Sequence, residues 1–302
     1  MPSWNEILQE MKEAGGRHDN IRRKYLRRLY RVTGRNAIIY YSGWLHKTDG
    51  APDILAINDD DKNGFMAAVH KLDRSKGLDL ILHTPGGGLA AVESIVDYLK
   101  QMFDSDIRAI VPQMAMSAGT MMACASKTII MGKHSNIGPI DPQIAGVSAH
   151  ALLDTWEEAK REIQATPTLA NLWLPVLQRY PPGLLIQCRQ SIEWASKLVK
   201  KWLIEGMFDG APDADDKATQ IVDYLSSHTA TLSHARHVHR ADARSKGLVV
   251  VDLEDDQKLQ DAVLAVHHAC MQTFTGTGAH KIIENHKGIA YIRARSTYLI
   301  QE

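Results

Sequence analysis

The chain has 302 residues with 35 basic and 35 acidic side chains. That length can bury a substantial core in one large or two small domains, and the balanced charge gives no reason to expect nucleic acid or an anionic membrane as partner. Three widely spaced cysteines, Cys124, Cys188 and Cys270, form neither a disulfide framework nor a metal-binding pattern, which suits a reducing cytoplasm. No apolar run approaches the roughly 18 residues that span a bilayer, and the N-terminus lacks the apolar stretch of a secretory signal, so a soluble, cytoplasmic protein is expected.

Residues 1–33 are expected to be helical. Trp4, Ile7, Leu8 and Met11 share one face before the break at Ala14-Gly15-Gly16. The arginine-rich IRRKYLRRLYRVTGR that follows reads as a helix burying Ile21, Tyr25, Leu26 and Leu29 under a solvated basic face, in preference to a nucleic-acid patch. Ala37 to Ser42 is the first core strand. Asp59 to Asp61 then open a helix whose inward stripe is Phe65, Ala68, Val69 and Leu72. Acidic residues suit the positive end of a helix dipole, and the three aspartates lack the spacing of a calcium loop.

Leu78 to His83 is a short apolar strand that stops at Pro85 and three glycines, and from Leu89 the apolar residues Val92, Val96, Leu99 and Phe103 keep helical spacing. Gly86 to Gly88 therefore form a strand-to-helix turn, where glycine leaves backbone amides free to point into open space. A second apolar run, Ile107 to Val111, leads into a second such turn at Ser117, flanked by Ala118 and Gly119. A serine there sits where free amides and the dipole favour a developing oxyanion. Successive β-to-α turns from neighbouring parallel strands open on the same edge of a sheet, so the glycine turn and Ser117 are expected to face each other as two halves of an acyl-transfer site.

These residues also carry a resemblance. HTPGGG, AMSAGT and SNIGPIDPQI resemble the serine dehydrogenase proteinase family, a branch of the group that includes the Clp protease proteolytic subunit, signal peptide peptidase A and the crotonases. The likeness runs from Ile38 to Val251 and is strongest from Leu78 to Ile144. It implies an α/β fold of the Clp-protease and crotonase type, a spiral of repeated β-β-α units, in a domain spanning 36–252. Residues 1–35 would be a helical extension before it and 253–302 a small αβ extension after it. It further implies serine-peptidase chemistry on a peptide or protein substrate without a cofactor, and assembly into a homo-oligomer. Ser117 takes the nucleophile position, the amides of Gly87, Gly88 and Ala118 the oxyanion hole, and Ile137 to Asp141 a wall of the substrate groove.

A serine nucleophile needs a neighbouring base. At the place where a Clp-type triad has histidine, this chain has Pro142 beside Asp141, whereas the signal peptide peptidase branch uses a lysine near the start of the next helix. In the helix Ala151 to Ile163, Lys160 falls between Leu153 and Trp156 on the apolar stripe, where burial would lower its pKa toward that of a base. Lys160 is accordingly the expected base, with the histidines His134, His150, His234 and His237 left open.

Farther on, Leu185 to Trp202 and Asp213 to Ser227 have amphipathic helical spacing, and Gly247 to Val251 reads as a closing strand. His234, His237 and His239 lack the companions of a zinc site. A late helix carries Leu259 to Cys270, with a strand from Gly288 to Arg293. The resulting expectation is a serine endopeptidase with a Ser117–Lys160 dyad. The rivals are an acyl-CoA enzyme using the same amide pair on an enolate, and an inactive oligomeric scaffold.

Overall fold

The computed structural model describes residues 3–47 and 52–294. Its centre is a seven-stranded mixed sheet. In chain order the strands are β1 (Asn36–Ser42), β2 (Leu78–His83), β3 (Ile107–Val111), β4 (Thr128–Met131), β5 (Val250–Asp252), β6 (Ala279–Asn285) and β7 (Ala290–Ala294). They lie side by side in the order β5-β4-β3-β2-β1-β6-β7. The five from β5 to β1 run parallel, and β6 and β7 are added antiparallel.

Helices cover both faces, which is why the parallel strands β1 to β4 are rich in apolar residues. One face packs α1 (Trp4–Glu13), α2 (His18–Thr33) and α9 (Gln257–Gly276) onto Ala37, Ile39, Tyr41 and Ile81. The other packs α3 (Asp61–Val69), α4 (Leu89–Phe103), α5 (Ala118–Cys124), α7 (Leu184–Trp202) and α8 (Ala214–Ser226) onto Ile38, Tyr40, Leu80 and Leu82. The helix α6 (Ala149–Ala165) stands apart from both, with its own small cluster of Ala149, Leu152 and Cys188.

Several expected elements are present, and two features differ. The stretch from 253 onward supplies β6, a fully buried strand hydrogen-bonded between β1 and β7, and α9, which packs with α1 and α2. Residues near both chain ends thus complete the central sheet and one of its helical layers. The strand β6 itself, AHKIIEN, escapes a reading of apolar pattern because four of its seven residues are polar. Three of these have partners from distant segments: Lys281 reaches Asp61, Asn285 reaches Ala68 O, and Glu284 receives the guanidinium of Arg22 from α2. Among the described residues no helix is long and apolar enough to cross a membrane.

Candidate active site

The two β-to-α turns are joined by the sheet itself. Past the end of β2, Thr84 pairs in parallel with Ala115, its amide donating to Met114 O at 3.1 Å and its carbonyl accepting from Met116 N at 3.0 Å. The turn at Ser117 is therefore fixed directly beside the turn at Gly86. A Cβ placed on Gly86 would lie 2.6 Å from Ser117 Cβ and 2.8 Å from Met116 O, so the approach depends on the missing side chain.

Ser117 caps α5 with φ 51° and ψ −119°, a conformation that costs a non-glycine residue of order 1–3 kcal/mol and persists only where its surroundings impose it. Such a backbone makes a sharp strand-to-helix turn at Ser117, the form of turn on which hydrolase serines are presented. The flanks permit it: Ala115 is fully buried, and a Cβ on Gly119 would come within 2.4 Å of Thr84 Cγ2. Thr120, one turn into α5, donates to Ala115 O at 2.8 Å and accepts from Gly138 N at 2.9 Å, tying the loop after β4 to the same turn.

The glycine turn is held from the opposite side by Ile57. Ile57 N donates to Gly86 O and Gly88 N donates to Ile57 O, each at 2.8 Å. The Gly88 amide is thus occupied. Neither the Gly87 amide nor that of Ala118 has a hydrogen-bond acceptor among the described residues. A trans peptide sets its C=O and N–H in opposite directions. With Gly86 C=O drawn toward Ile57, the N–H of Gly87 points away from Ile57.

Both turns open on a cavity of about 640 Å³ whose lining includes Gly87, Ser117, Ala118, Ile140, Trp194 and His234. Of the expected groove segment Ile137 to Asp141, Ile140 reaches this lining, as do the next residues Pro142 and Gln143. His234 follows a left-handed turn at Leu232, φ 64°, and its Nδ1 lies 2.7 Å from Asp141 Oδ1. The Asp141 carboxylate is fully buried and takes a second hydrogen bond, from Gln143 Nε2 at 2.9 Å. An ionised carboxylate only accepts, so Nδ1 carries the proton and Nε2 is the basic nitrogen.

Lys160 does not join this group. Its expected burial on the stripe of α6 is not realised: the side chain is 53% exposed and the ammonium bonds both oxygens of Glu157, at 3.0 and 2.9 Å. The reason is that α6 buries only Ala149, Leu152 and Ala159, so the flank carrying Lys160 meets water. His134, His150, His237 and His239 do not line the cavity either. Burial pushes the Cys124 thiol up to about 12, which leaves it inert behind the serine. The sequence placed Asp141 next to the site without indicating its partner; the signal available was a histidine in a loop leading back toward the sheet edge.

A mixed α/β sheet with a strained serine at one β-to-α turn, two unoccupied amides beside it and a carboxylate-bound histidine across a cavity has the arrangement of a serine hydrolase. The chain belongs to the ClpP-like SDH-type serine proteinase family, whose profile matches residues 14–171. It is also similar to two uncharacterized proteins of Methanocaldococcus jannaschii. One is 36% identical over 109 residues, 36% of this chain and 38% of that relative; the other is 36% identical over 107 residues, 35% and 36% respectively. The matched part thus spans little more than a third of either relative's length. No solved structure matches.

Proposed function

We propose that the protein hydrolyses peptide bonds through an acyl-enzyme on Ser117, with His234 as general base and Asp141 orienting it. The observation that carries this reading is the hydrogen bond between buried Asp141 and part-exposed His234, which lines the same cavity as the strained Ser117. Ser117 Oγ attacks the scissile carbonyl as its proton passes to His234 Nε2, and the oxyanion is received by the amides of Gly87 and Ala118. The C–N bond then breaks as Nε2 returns the proton to the leaving amine. Water repeats the sequence on the ester, releasing the acid and restoring Ser117. Each oxyanion donor in such a site is worth about 2.7–4 kcal/mol of transition-state stabilisation.

The family supports protein substrates and oligomers of the ClpP type. The rest of the proposal is a catalytic unit over 36–252 built as a β-β-α spiral, completed by 1–35 and 253–302, acting in the cytoplasm as a homo-oligomer. The test is intact mass after incubation with a fluorophosphonate. One adduct is expected, lost in Ser117→Ala, slowed by ~10²–10⁴-fold in His234→Ala, and retained in Lys160→Met. Loss in Lys160→Met with retention in His234→Ala would instead establish the Ser117–Lys160 dyad. No adduct on the unsubstituted protein would favour the acyl-CoA or scaffold readings.

A further inference from the structure

Beneath the glycine turn lies a charged pair that the proposed chemistry does not use. Lys281 on β6 and Asp61 at the start of α3 are each 1% exposed, and Lys281 Nζ donates to Asp61 Oδ1 at 2.8 Å and Oδ2 at 2.9 Å. A buried ion pair is weak evidence for stability, because an apolar pair of similar volume is often as stable or more so. Two desolvated charges here invite another explanation.

Their remaining bonds supply it. Lys281 Nζ also donates to the carbonyl of Ala56 at 2.7 Å, and Asp61 Oδ2 accepts the amide of Asn58 at 3.0 Å and the hydroxyl of Tyr40 at 2.8 Å. The pair thus grips the backbone immediately before and after Ile57, the residue that holds Gly86 O and Gly88 N. Apolar side chains could fill this space, but they could neither donate to one peptide nor accept from the next.

We infer that the Lys281–Asp61 pair is the positioning element of the oxyanion hole, fixing Ala56–Asn58 so that Ile57 aims the Gly87 amide at the substrate carbonyl. This rests on the acyl-transfer reading above. Lys281 and Asp61 touch no reacting atom; they act through Ile57, and Lys281 is the residue by which β6 supports the site.

The test compares the double variant Lys281→Met/Asp61→Leu, which leaves neither charge alone, with Arg22→Met/Glu284→Leu. The latter removes an equally buried pair that joins the same strand to α2. Fluorophosphonate labelling of Ser117 and turnover of a p-nitrophenyl acyl ester are measured on folded protein, checked by thermal melting. The first variant is expected to label ~10–100-fold more slowly, with kcat reduced and KM unchanged, because an amide displaced by about 1 Å forfeits most of its effect. The second is expected to alter melting while labelling within about twofold of the parent. A folded first variant that labels as fast as the second overturns the inference while leaving the acyl-enzyme reading intact; absence of labelling in the parent overturns both. If the double variant does not fold, Tyr40→Phe decides: several-fold slower labelling supports the inference, and an unchanged rate refutes it.

Discussion

Replacing Gly87 with alanine tests the oxyanion geometry most directly. The new Cβ would lie 2.3 Å from both N and O of Ile57 and 2.7 Å from its Cα. Those are backbone atoms that cannot swing aside, so the two segments must separate by about 1 Å to reach ordinary contact. The backbone conformation, φ 159°, adds about 1–3 kcal/mol for a residue bearing Cβ, and overpacking adds about 1–3 kcal/mol. Gly87→Ala should therefore lose about 2–6 kcal/mol of stability, and its folded fraction should acylate ~10²-fold more slowly because the amide has moved. At Gly88, by contrast, φ is −68° and an added Cβ meets nothing closer than Ile57 O at 3.6 Å. Gly88→Ala should stay within about 1 kcal/mol of the parent, since a weaker N-cap is offset by a less flexible unfolded chain, and its labelling rate should be near that of the parent. Chemical denaturation and fluorophosphonate labelling rates measure both effects. A Gly87→Ala protein that keeps its rate, or a Gly88→Ala protein that loses it equally, would refute the assignment of the donor to Gly87.

Asp141→Asn should lower kcat by ~10²–10⁴-fold while leaving KM near its original value, since the amide no longer fixes the proton on His234 Nδ1; a pH–rate profile unchanged in height would count against the pair. Lys160→Met should change stability by no more than about 0.5 kcal/mol, as expected for an exposed ion pair, and activity by less than twofold. Burial holds the imidazoles of His83 and His267 neutral, the latter down to about 3, and that of His286 down to about 4. Their folded pKa values are depressed, so as pH falls below the ordinary histidine value of about 6.5 the unfolded chain takes up protons that the native state refuses. Stability should be flat above that pH and fall toward pH 4 by up to about 4 kcal/mol per unit for these three groups; denaturation midpoints that do not drop between pH 6.5 and 4.5 would contradict it.

The sequence by itself determined the parts of the site that depend on local chemistry. Glycine after a strand, small residues around Ser117 and helical spacing from Leu89 each follow from what a few consecutive residues can adopt, and they placed Ser117 and the glycine turn on one sheet edge. Tertiary structure alone decided which amide is free, because Gly88 is occupied by Ile57, 31 residues earlier in the chain. It also decided how the base candidates lie. Helical periodicity gave Lys160 an angle on α6 but could not say that this flank faces water, and nothing local joins His234 to Asp141, 93 residues apart. The strand β6 was hidden for the same reason: Lys281 and Glu284 are polar by composition, and only partners brought in from Asp61 and Arg22 make them inner residues of a buried strand. Short-range sterics are written in neighbouring residues, whereas desolvation and charge pairing depend on what folding brings across the chain.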